Sequence, residues 1–422
     1  MLAADSATSR ARSGDPRWAY APYAAFAAFG MFWGAWGAAL PTLRVQAGVS
    51  EGQLGTALLF VGLGALPTMA VTGRAVDRVG LRAAALLLPA LAGAGLLIAG
   101  TTDGWVMLVV GMLVVGATSG AADVAINALA GRAEHITAKP LLTRAHGLFS
   151  GGVVVASLAT GQLLGAGLSL LVTFAVVAAV MVAFAVVVQT AELGPRDSLD
   201  GNSATPGAEE TSSSSHAATS HRTRRNAEAR RPRTPRLVVV GLVAALAYAV
   251  ENAHQSWGAV MLTDVLNASP QLAAAAPATF AATTGVARLA LAPLSRSHPT
   301  VMLVGGGALA TAGSLVMGFA PSVTVALTGL VLAALGTATL FPTLLSRSLR
   351  STDPDQHGRT TSKIAATAYL GFLLGPAYVG LLAAGTDLRG ALAGVAALAL
   401  VFTLAVTRVH EASPWERLEG PR

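Results

Sequence analysis

The chain has 422 residues, of which 53% are hydrophobic and 12% are charged. Soluble domains carry roughly a quarter of charged residues, and a soluble protein this apolar would expose large hydrophobic patches. The composition therefore favours a membrane protein, and the absence of cysteine excludes disulfides and thiolate chemistry. Basic residues that orient the chain in a bilayer account for the formal net charge of +7, so we expect no nucleic-acid partner.

Twelve stretches are long and apolar enough to cross a membrane as helices, since a bilayer core requires about 20 apolar residues. The first is not expected to be a cleaved signal peptide, because it is too long and because Trp33, Trp36 and Pro41 interrupt the small-residue pattern of a cleavage site. The stretches cover roughly residues 18–43, 52–73, 82–101, 104–130, 142–166, 168–190, 236–262, 270–295, 299–319, 321–347, 359–384 and 387–408.

Basic residues are distributed unequally between the predicted loops. With both termini in the cytoplasm, 26 of the 28 basic residues fall in inner segments, and only Arg44 and Arg389 fall outside. The positive-inside rule therefore predicts cytoplasmic termini. We expect a multi-pass protein of the bacterial plasma (inner) membrane, embedded in the lipid bilayer as a monomer.

A polar segment at 191–235 separates the first six spans from the last six. It is rich in Ser, Thr, Ala and Arg and offers no apolar face, so we expect a disordered cytoplasmic linker. A regulatory or partner-binding role of this linker stays open. The predicted organisation is an N-terminal six-helix bundle at 1–190, the linker, a C-terminal six-helix bundle at 236–408 and a cytoplasmic tail at 409–422. This is the plan of a two-halved secondary transporter.

The segment GRAVDRVGLR between the second and third spans resembles the signature of the major facilitator superfamily. Leu81 departs from the first basic position of that signature. The resemblance implies an all-α membrane protein with 12 transmembrane helices in two six-helix halves, and it assigns this segment to cytoplasmic gating. The residues that match are Gly73, Asp77, Arg78, Gly80 and Arg82. Alternatively, the charged residues of this segment have no gating role and only fix the orientation of the chain in the membrane.

The fourth span contains Asp123 and Asn127, which lie one helical turn apart and share a face. An ionised Asp at the centre of a membrane helix costs about 2.5–3.5 kcal/mol on insertion scales, so we expect this residue to have a task. Burial disfavours the charged form of a carboxyl group, and such a group can take up a proton on one side and release it on the other. A structural polar pair is the alternative.

The same stretch, Asp-Val-Ala-Ile-Asn, is similar to the fourth-helix Glu-Thr-Ala-Ala-Asn of fucose–proton symporters. In those carriers the acid is the proton-linked residue, which implies this role for Asp123. The following AHGLFSGG is similar to their fifth-helix motif, with His146 at the position of a sugar-contacting Gln. Their first helix carries a second acid four residues before a proline, where this chain has Gly37. The resemblance therefore does not imply their full two-acid mechanism.

The chain also resembles the YbjJ-type branch of the superfamily. The residues that carry this resemblance are WGAALPTLR at 36–44, Asp-x-x-x-Asn in the fourth span, HGLFSGG at 146–152 and ENAHQSW at 251–257. That branch usually has an Asp before the last Trp, where this chain has Ser256. The resemblance to this branch does not identify a substrate for the chain.

The seventh span places Glu251 about 22 Å from Arg236 by helical rise, near the middle of the bilayer. Glu251, His254 and Gln255 follow an i, i+3, i+4 spacing, which predicts one polar face toward a hydrophilic solute. Trp257 could stack on a sugar ring, as could Trp36 of the first span, although an interfacial aromatic belt is the alternative. Arg288 lies inside the eighth span, and we expect it to snorkel toward the cytoplasm rather than pair with a carboxylate.

These features predict a secondary active transporter that moves a small polar solute, sugar-like, by alternating access coupled to protons in symport. Asp123 would carry the proton with help from Glu251. The expected solute contacts are Asn127, His146, Trp36, His254, Gln255 and Trp257. An efflux antiporter for drugs or metabolites and a non-transporting membrane sensor are the alternatives. We expect no enzyme, cofactor or metal, because the sequence has no phosphate loop, metal cluster or nucleophile–base pair.

Overall fold

The computed structural model describes residues 17–79, 82–137, 139, 141–192, 234–350, 352 and 356–411. Within these ranges the chain forms twelve spans, α1 to α12, and no strand. They are α1 Arg17–Ala47, α2 Glu51–Val79, α3 Arg82–Thr101, α4 Trp105–Thr137, α5 Leu141–Gly165, α6 Leu170–Glu192, α7 Thr234–Asp264, α8 Pro270–Ala273 continued by Ala275–Ser297, α9 Pro299–Gly318, α10 Val323–Thr337 continued by Leu340–Arg350, α11 His357–Gly385 and α12 Leu388–Glu411.

Eleven of these spans are long and apolar enough to cross a membrane by length and composition alone. The twelfth is α8, whose longer segment has 23 residues and packs on α5 and α10. The prediction of an all-helical protein with twelve membrane helices is therefore confirmed. The predicted linker and tail lie largely outside the described residues, since α6 ends at Glu192, α7 begins at Thr234 and α12 ends at Glu411. The proposed domain boundaries stay a prediction.

Local sequence signals set the turn between the first two helices. α1 ends at Ala47 because Gly48 adopts a positive φ of 62°, which a glycine accepts without a side-chain clash. α2 then begins with a capping box. The Gln53 N–H donates to Ser50 Oγ at 3.3 Å, and the Ser50 N–H donates to Gln53 Oε1 at 2.9 Å.

The second helix is longer than its apolar stretch suggests. It extends to Val79, so Gly73, Asp77 and Arg78 belong to the helix, although we expected a loop from residue 73. With 29 residues the helix measures about 43 Å, longer than a hydrocarbon core of about 30 Å, so its charged end can project into water without unwinding. Gly80 lies outside the described residues, and Arg82 opens α3. The gating role of this segment stays a prediction.

The two halves repeat one packing pattern. In the first half α1 packs on α5, α2 on α4, and α3 on α6. In the second half α7 packs on α11, α8 on α10, and α9 on α12, which is the same set of pairs shifted by six helices. The halves meet along α2 with α11, α5 with α8, and α1 with α7.

Glycines one turn apart allow the equivalent helices of each half to touch backbone to backbone. A Cβ on Gly30 or Gly34 of α1 would collide with the backbone of α5 at Phe149 and Val153. Gly371 and Gly375 of α11 meet the backbone of α7 in the same way, at Ala245 and Ala249. Pairs of small residues spaced by four are the usual device for close helix packing in membranes.

We predict that Gly30→Ala destabilises the protein by about 1–3 kcal/mol, because the new methyl group would displace the backbone of α5. The apparent melting temperature of the purified protein in detergent should fall. Gly151→Ala is the matched control, since Gly151 on α5 has open space where a Cβ would stand. Equal melting temperatures for the two variants would contradict this packing account.

Candidate functional site

The halves make their direct contacts toward the end where α1 and α7 terminate, which the basic residues assign to the outside. In the α2–α11 contact Gly55 lies against Gly380, so close that a Cβ on either glycine would collide with the other helix. In the α5–α8 contact the Ser157 hydroxyl donates to the Ala274 carbonyl at 2.6 Å. These contacts close the outer end of the space between the halves.

An ion pair between the halves reinforces this closure. Arg44 Nη2 at the end of α1 lies 2.7 Å from Asp264 Oδ2 at the end of α7, and both side chains are mostly shielded from solvent. The carboxylate of Glu51 is close enough to interact electrostatically with both. Arg44, one of the two basic residues that the predicted topology leaves outside, therefore links the first half to the second.

The opposite end is open between α5 and α8. A groove of 460 Å³ lies there, and the side chains along it on α5 are exposed. Its lining residues are Tyr23, Thr143, Arg144, Gly147, Leu148 and Leu289. The two halves are therefore in contact at the predicted outer end, and a groove separates α5 from α8 at the predicted cytoplasmic end.

Asp123 lies on α4, one turn beyond Gly120, which packs against α2 at Ala65. Its carboxylate Oδ1 accepts a hydrogen bond from the Asn127 side-chain amide at 3.1 Å, and the same amide donates to the Asp123 carbonyl at 2.9 Å. The predicted shared face is therefore present. No basic side chain forms an ion pair with Asp123 among the residues that the structure describes.

The Asp123 carboxylate approaches the second half of the molecule. It is close enough to interact electrostatically with Tyr248 on α7 and Tyr369 on α11. Tyr248 is itself fixed by stacking on Phe341, with ring centroids 4.6 Å apart. The acid of the fourth helix is thus electrostatically coupled to the second half, although neither phenol donates a hydrogen bond to it among the residues that the structure describes.

Glu251 and Arg288 form the second charged element of this space. Arg288 Nη2 lies 2.9 Å from Glu251 Oε1, and the Gln255 amide donates to the same oxygen at 3.3 Å. Arg288 Nε donates to the Ala338 carbonyl at 3.1 Å. The expectation that Arg288 snorkels to the cytoplasm is wrong, because a carboxylate within reach of the guanidinium satisfies the charge where it stands.

His146 lies on the other wall, on α5. Its side chain is exposed, and its ring packs edge-on against Phe26 with centroids 4.8 Å apart. It is close enough to Arg288 to feel the charge of the guanidinium. Asp123 of the first half is thus electrostatically coupled to the two tyrosines of the second half, and His146 is coupled to Arg288.

The predicted polar face of α7 is divided. Positions i+3 and i+4 of a helix lie about 100° apart on either side of position i. Gln255 therefore stays beside Glu251, whereas His254 turns away and is 1% exposed. Its Nδ1 lies 2.7 Å from the Val250 carbonyl and its Nε2 lies 3.2 Å from Ser314 Oγ. In this conformation His254 does not reach the central space.

The tryptophans are also buried in the protein. Trp257 is 0% exposed, and its indole N–H donates to the Pro376 carbonyl at 3.0 Å. Trp36 is 5% exposed and stacks on Phe32 with centroids 6.1 Å apart. These contacts join α7 to α11 and fix the rings within the first helix, so neither indole is available to a solute in this conformation.

Sequence reasoning missed the two tyrosines of the central space. A signal was present for one of them, since Tyr248 precedes Glu251 by three residues and so lies near it on the helix. No local signal identifies Tyr369, because its proximity to Asp123 depends on the packing of α11 against α2.

Two six-helix halves around a polar central space define a two-halved membrane carrier. The family model of the Major Facilitator Superfamily matches residues 23–296 and 240–422. The chain belongs to this superfamily, and it is a multi-pass membrane transporter.

Two curated relatives extend over nearly the whole chain. An uncharacterised transporter of this superfamily from Yersinia pestis is 26% identical over 376 residues, covering 87% of this chain and 90% of its own length. An uncharacterised transporter from Sinorhizobium fredii is 26% identical over 363 residues, covering 83% and 87%.

Solved structures share the fold at low sequence identity. A point mutant of the nucleoside transporter NupG superposes with a TM-score of 0.73 at 12% identity, covering 93% of this chain and 99% of that one. A bacterial homologue of the human lysosomal transporter Spinster, inward-facing and occupied, gives 0.69 at 16% identity, covering 96% and 98%. A D-xylose–proton symporter gives 0.66 at 14% identity, covering 91% and 96%.

The closed outer end predicts a disulfide between cysteines placed on α2 and α11. A Cβ on Gly52 would lie 2.9 Å from the Ala384 Cβ, and a small helix shift gives the Cβ separation of about 3.5–4.5 Å that a disulfide requires. The chain has no cysteine of its own, so Gly52→Cys with Ala384→Cys should cross-link under mild oxidation. A protease site inserted between residues 200 and 230 would reveal the bond as halves that separate only after reduction.

The control is a pair on the same two helices at the other end, Gly73→Cys with Arg359→Cys. Gly73 has nothing within 4 Å of a Cβ, so this pair should cross-link much more slowly. Faster cross-linking of the second pair would contradict the closure described here.

Proposed function

We propose that this transporter moves a small polar solute by alternating access and that Asp123 carries a coupled proton. The observation that supports this most is the position of Asp123, a carboxylate within a membrane helix that accepts a hydrogen bond from the Asn127 amide and has no ion-pair partner among the described residues. An acid without a cationic partner can exist in both protonation states, whereas an acid in an ion pair is held in the charged one. This difference makes Asp123 the better proton carrier of the two central acids.

Alternating access would rock the first six helices against the last six. The Arg44–Asp264 pair and the glycine contact of α2 with α11 would hold the outer end closed while solute exchanges with the cytoplasm. By resemblance to the family, Asp77 and Arg78 would latch the inner end in the opposite state. The distribution of basic residues supports a plasma-membrane location with both termini in the cytoplasm.

The solute would bind between Asn127 and His146 of the first half and Gln255 and Tyr369 of the second. These side chains offer hydrogen-bond donors and acceptors, which suit a hydroxylated molecule better than a greasy one. Trp36, His254 and Trp257 would instead shape the walls behind the site. The similarity of the fourth and fifth helices to fucose–proton symporters supports a sugar-like solute, and we retain the YbjJ-type branch as the proposed subfamily.

Glu251 takes an assisting role in this proposal. Glu251 pairs with Arg288 at 2.9 Å, so the two side chains together carry no net charge inside the bilayer. The Glu251–Arg288 ion pair would rearrange when the solute enters, while Asp123 exchanges protons with the side of the membrane to which the carrier is open.

We predict that Asp123→Asn abolishes proton coupling while solute exchange survives. Hits from a thermal-shift screen of sugars, sugar acids and nucleosides would be tested in proteoliposomes containing a pH-sensitive dye. Adding solute outside should acidify the lumen with the native protein and not with Asp123→Asn, because an amide cannot carry the proton. Exchange of labelled for unlabelled solute should persist, since it requires no net proton movement.

Asp103→Asn is the matched control, because Asp103 is an exposed acid in the short α3–α4 turn and should not affect coupling. Solute accumulation driven by an imposed pH gradient in the Asp123→Asn protein would remove the proton role from this residue.

A further inference from the structure

We infer that the guanidinium of Arg288, which Glu251 occupies only in part, forms a binding position for a carboxylate, so that the solute is a small hydroxylated acid with one negative charge. This assignment rests on the proposed function, which it narrows from polar solutes in general to monoanionic ones. It is carried by the unused donors of Arg288 and by the exposure of its side chain.

The first step is the donor inventory of the guanidinium. An Arg side chain has five N–H donors in a fixed fork. One is used by the Ala338 carbonyl at 3.1 Å and one by Glu251 Oε1 at 2.9 Å. The other three have no partner among the residues that the structure describes. A carboxylate can accept two parallel N–H bonds from such a fork, and these charge-assisted bonds are the strong ones.

The second step is access. The Arg288 side chain is 45% exposed, whereas its partner Glu251 is 12% exposed. His146 of the first half lies close enough to Arg288 of the second half to be influenced by its charge, and the helices that carry them, α5 and α8, pack against each other.

The third step is the geometry of the existing pair. Both Arg288 and the Gln255 amide bind the same Glu251 oxygen, Oε1. The contact is therefore single rather than bidentate, and the edge of the fork remains open to a second carboxylate. An entering acid would share or replace Glu251 on Arg288, while the Gln255 amide and His146 would bind its hydroxyl groups.

The test measures binding of matched pairs to the purified full-length protein in detergent, at constant ionic strength. Each pair is an acid and its neutral counterpart: glucuronate with glucose, galacturonate with galactose, gluconate with glucitol, and glycerate with glycerol. We expect at least one acid to raise the melting temperature and its counterpart to have no effect. Arg288→Gln should weaken that binding at least tenfold by calorimetry, since it removes both charge and fork.

Four further variants control this result. Arg296→Gln, two turns along α8 and exposed, should bind the acid as the native protein does. Arg288→Lys keeps the charge but loses the fork, and it should bind weakly. Glu251→Gln removes the competing carboxylate and should bind at least as tightly. Because an unpaired Glu251 could destabilise Arg288→Gln, the neutral double variant Glu251→Gln with Arg288→Gln provides a folded protein that should also fail to bind.

Two outcomes overturn the assignment. One is a neutral sugar or nucleoside whose binding is undiminished in Arg288→Gln, and the other is the absence of a melting shift with every acid in the panel. Asp123→Asn separates this assignment from the proton proposal, because it removes the carboxyl group that would carry the proton and leaves Arg288 and Glu251 in place. If Asp123→Asn loses proton coupling but acid binding does not depend on Arg288, only the anion site is disproved. If acid binding depends on Arg288 but Asp123→Asn still couples transport to protons, only the role of Asp123 as proton carrier is disproved.

Discussion

An ionisable side chain inside a bilayer must find a partner or water, and this constraint organises the centre of the molecule. Glu251 and Arg288 satisfy it through each other at 2.9 Å. Asp123 satisfies it through the hydrogen bond from the Asn127 amide. The two solutions have different consequences, since a paired charge stays charged while a carboxyl beside an amide can become neutral.

Close packing within each half is the mechanical counterpart of this chemistry. The glycines of α1 and α11 bring whole helix backbones together inside a half, so each half resists deformation. Between the halves the outer contacts are of another kind: one hydroxyl bond, one ion pair and small residues laid against each other. Such contacts can be broken without repacking a core, which is what movement of one half against the other requires.

The sequence predicted what depends on hydropathy and local periodicity. The membrane spans were located because a helix must stay apolar for a whole bilayer, and Asp123 and Asn127 were placed on one face by the helical repeat. Periodicity gives faces relative to one another but not their direction within the bundle. His254 therefore turned out to pack against α9, and the partner of Arg288 was missed because it belongs to a different helix. The length of α2 was underestimated because a helix can continue into water beyond the end of its apolar segment.

Charge balance links the two central elements. With Asp123 ionised, the Asp123, Glu251 and Arg288 side chains carry one net negative charge in the empty carrier. A solute with a single carboxylate adds another, and a proton on Asp123 cancels it. The loaded and empty carriers then have the same net charge, so neither moves charge through the membrane potential relative to the other, a difference that would otherwise amount to about 2.3 kcal/mol per charge at 100 mV. A neutral solute taking the same proton would lack this compensation. The proposed proton on Asp123 and the proposed carboxylate on Arg288 are therefore consistent with each other in charge.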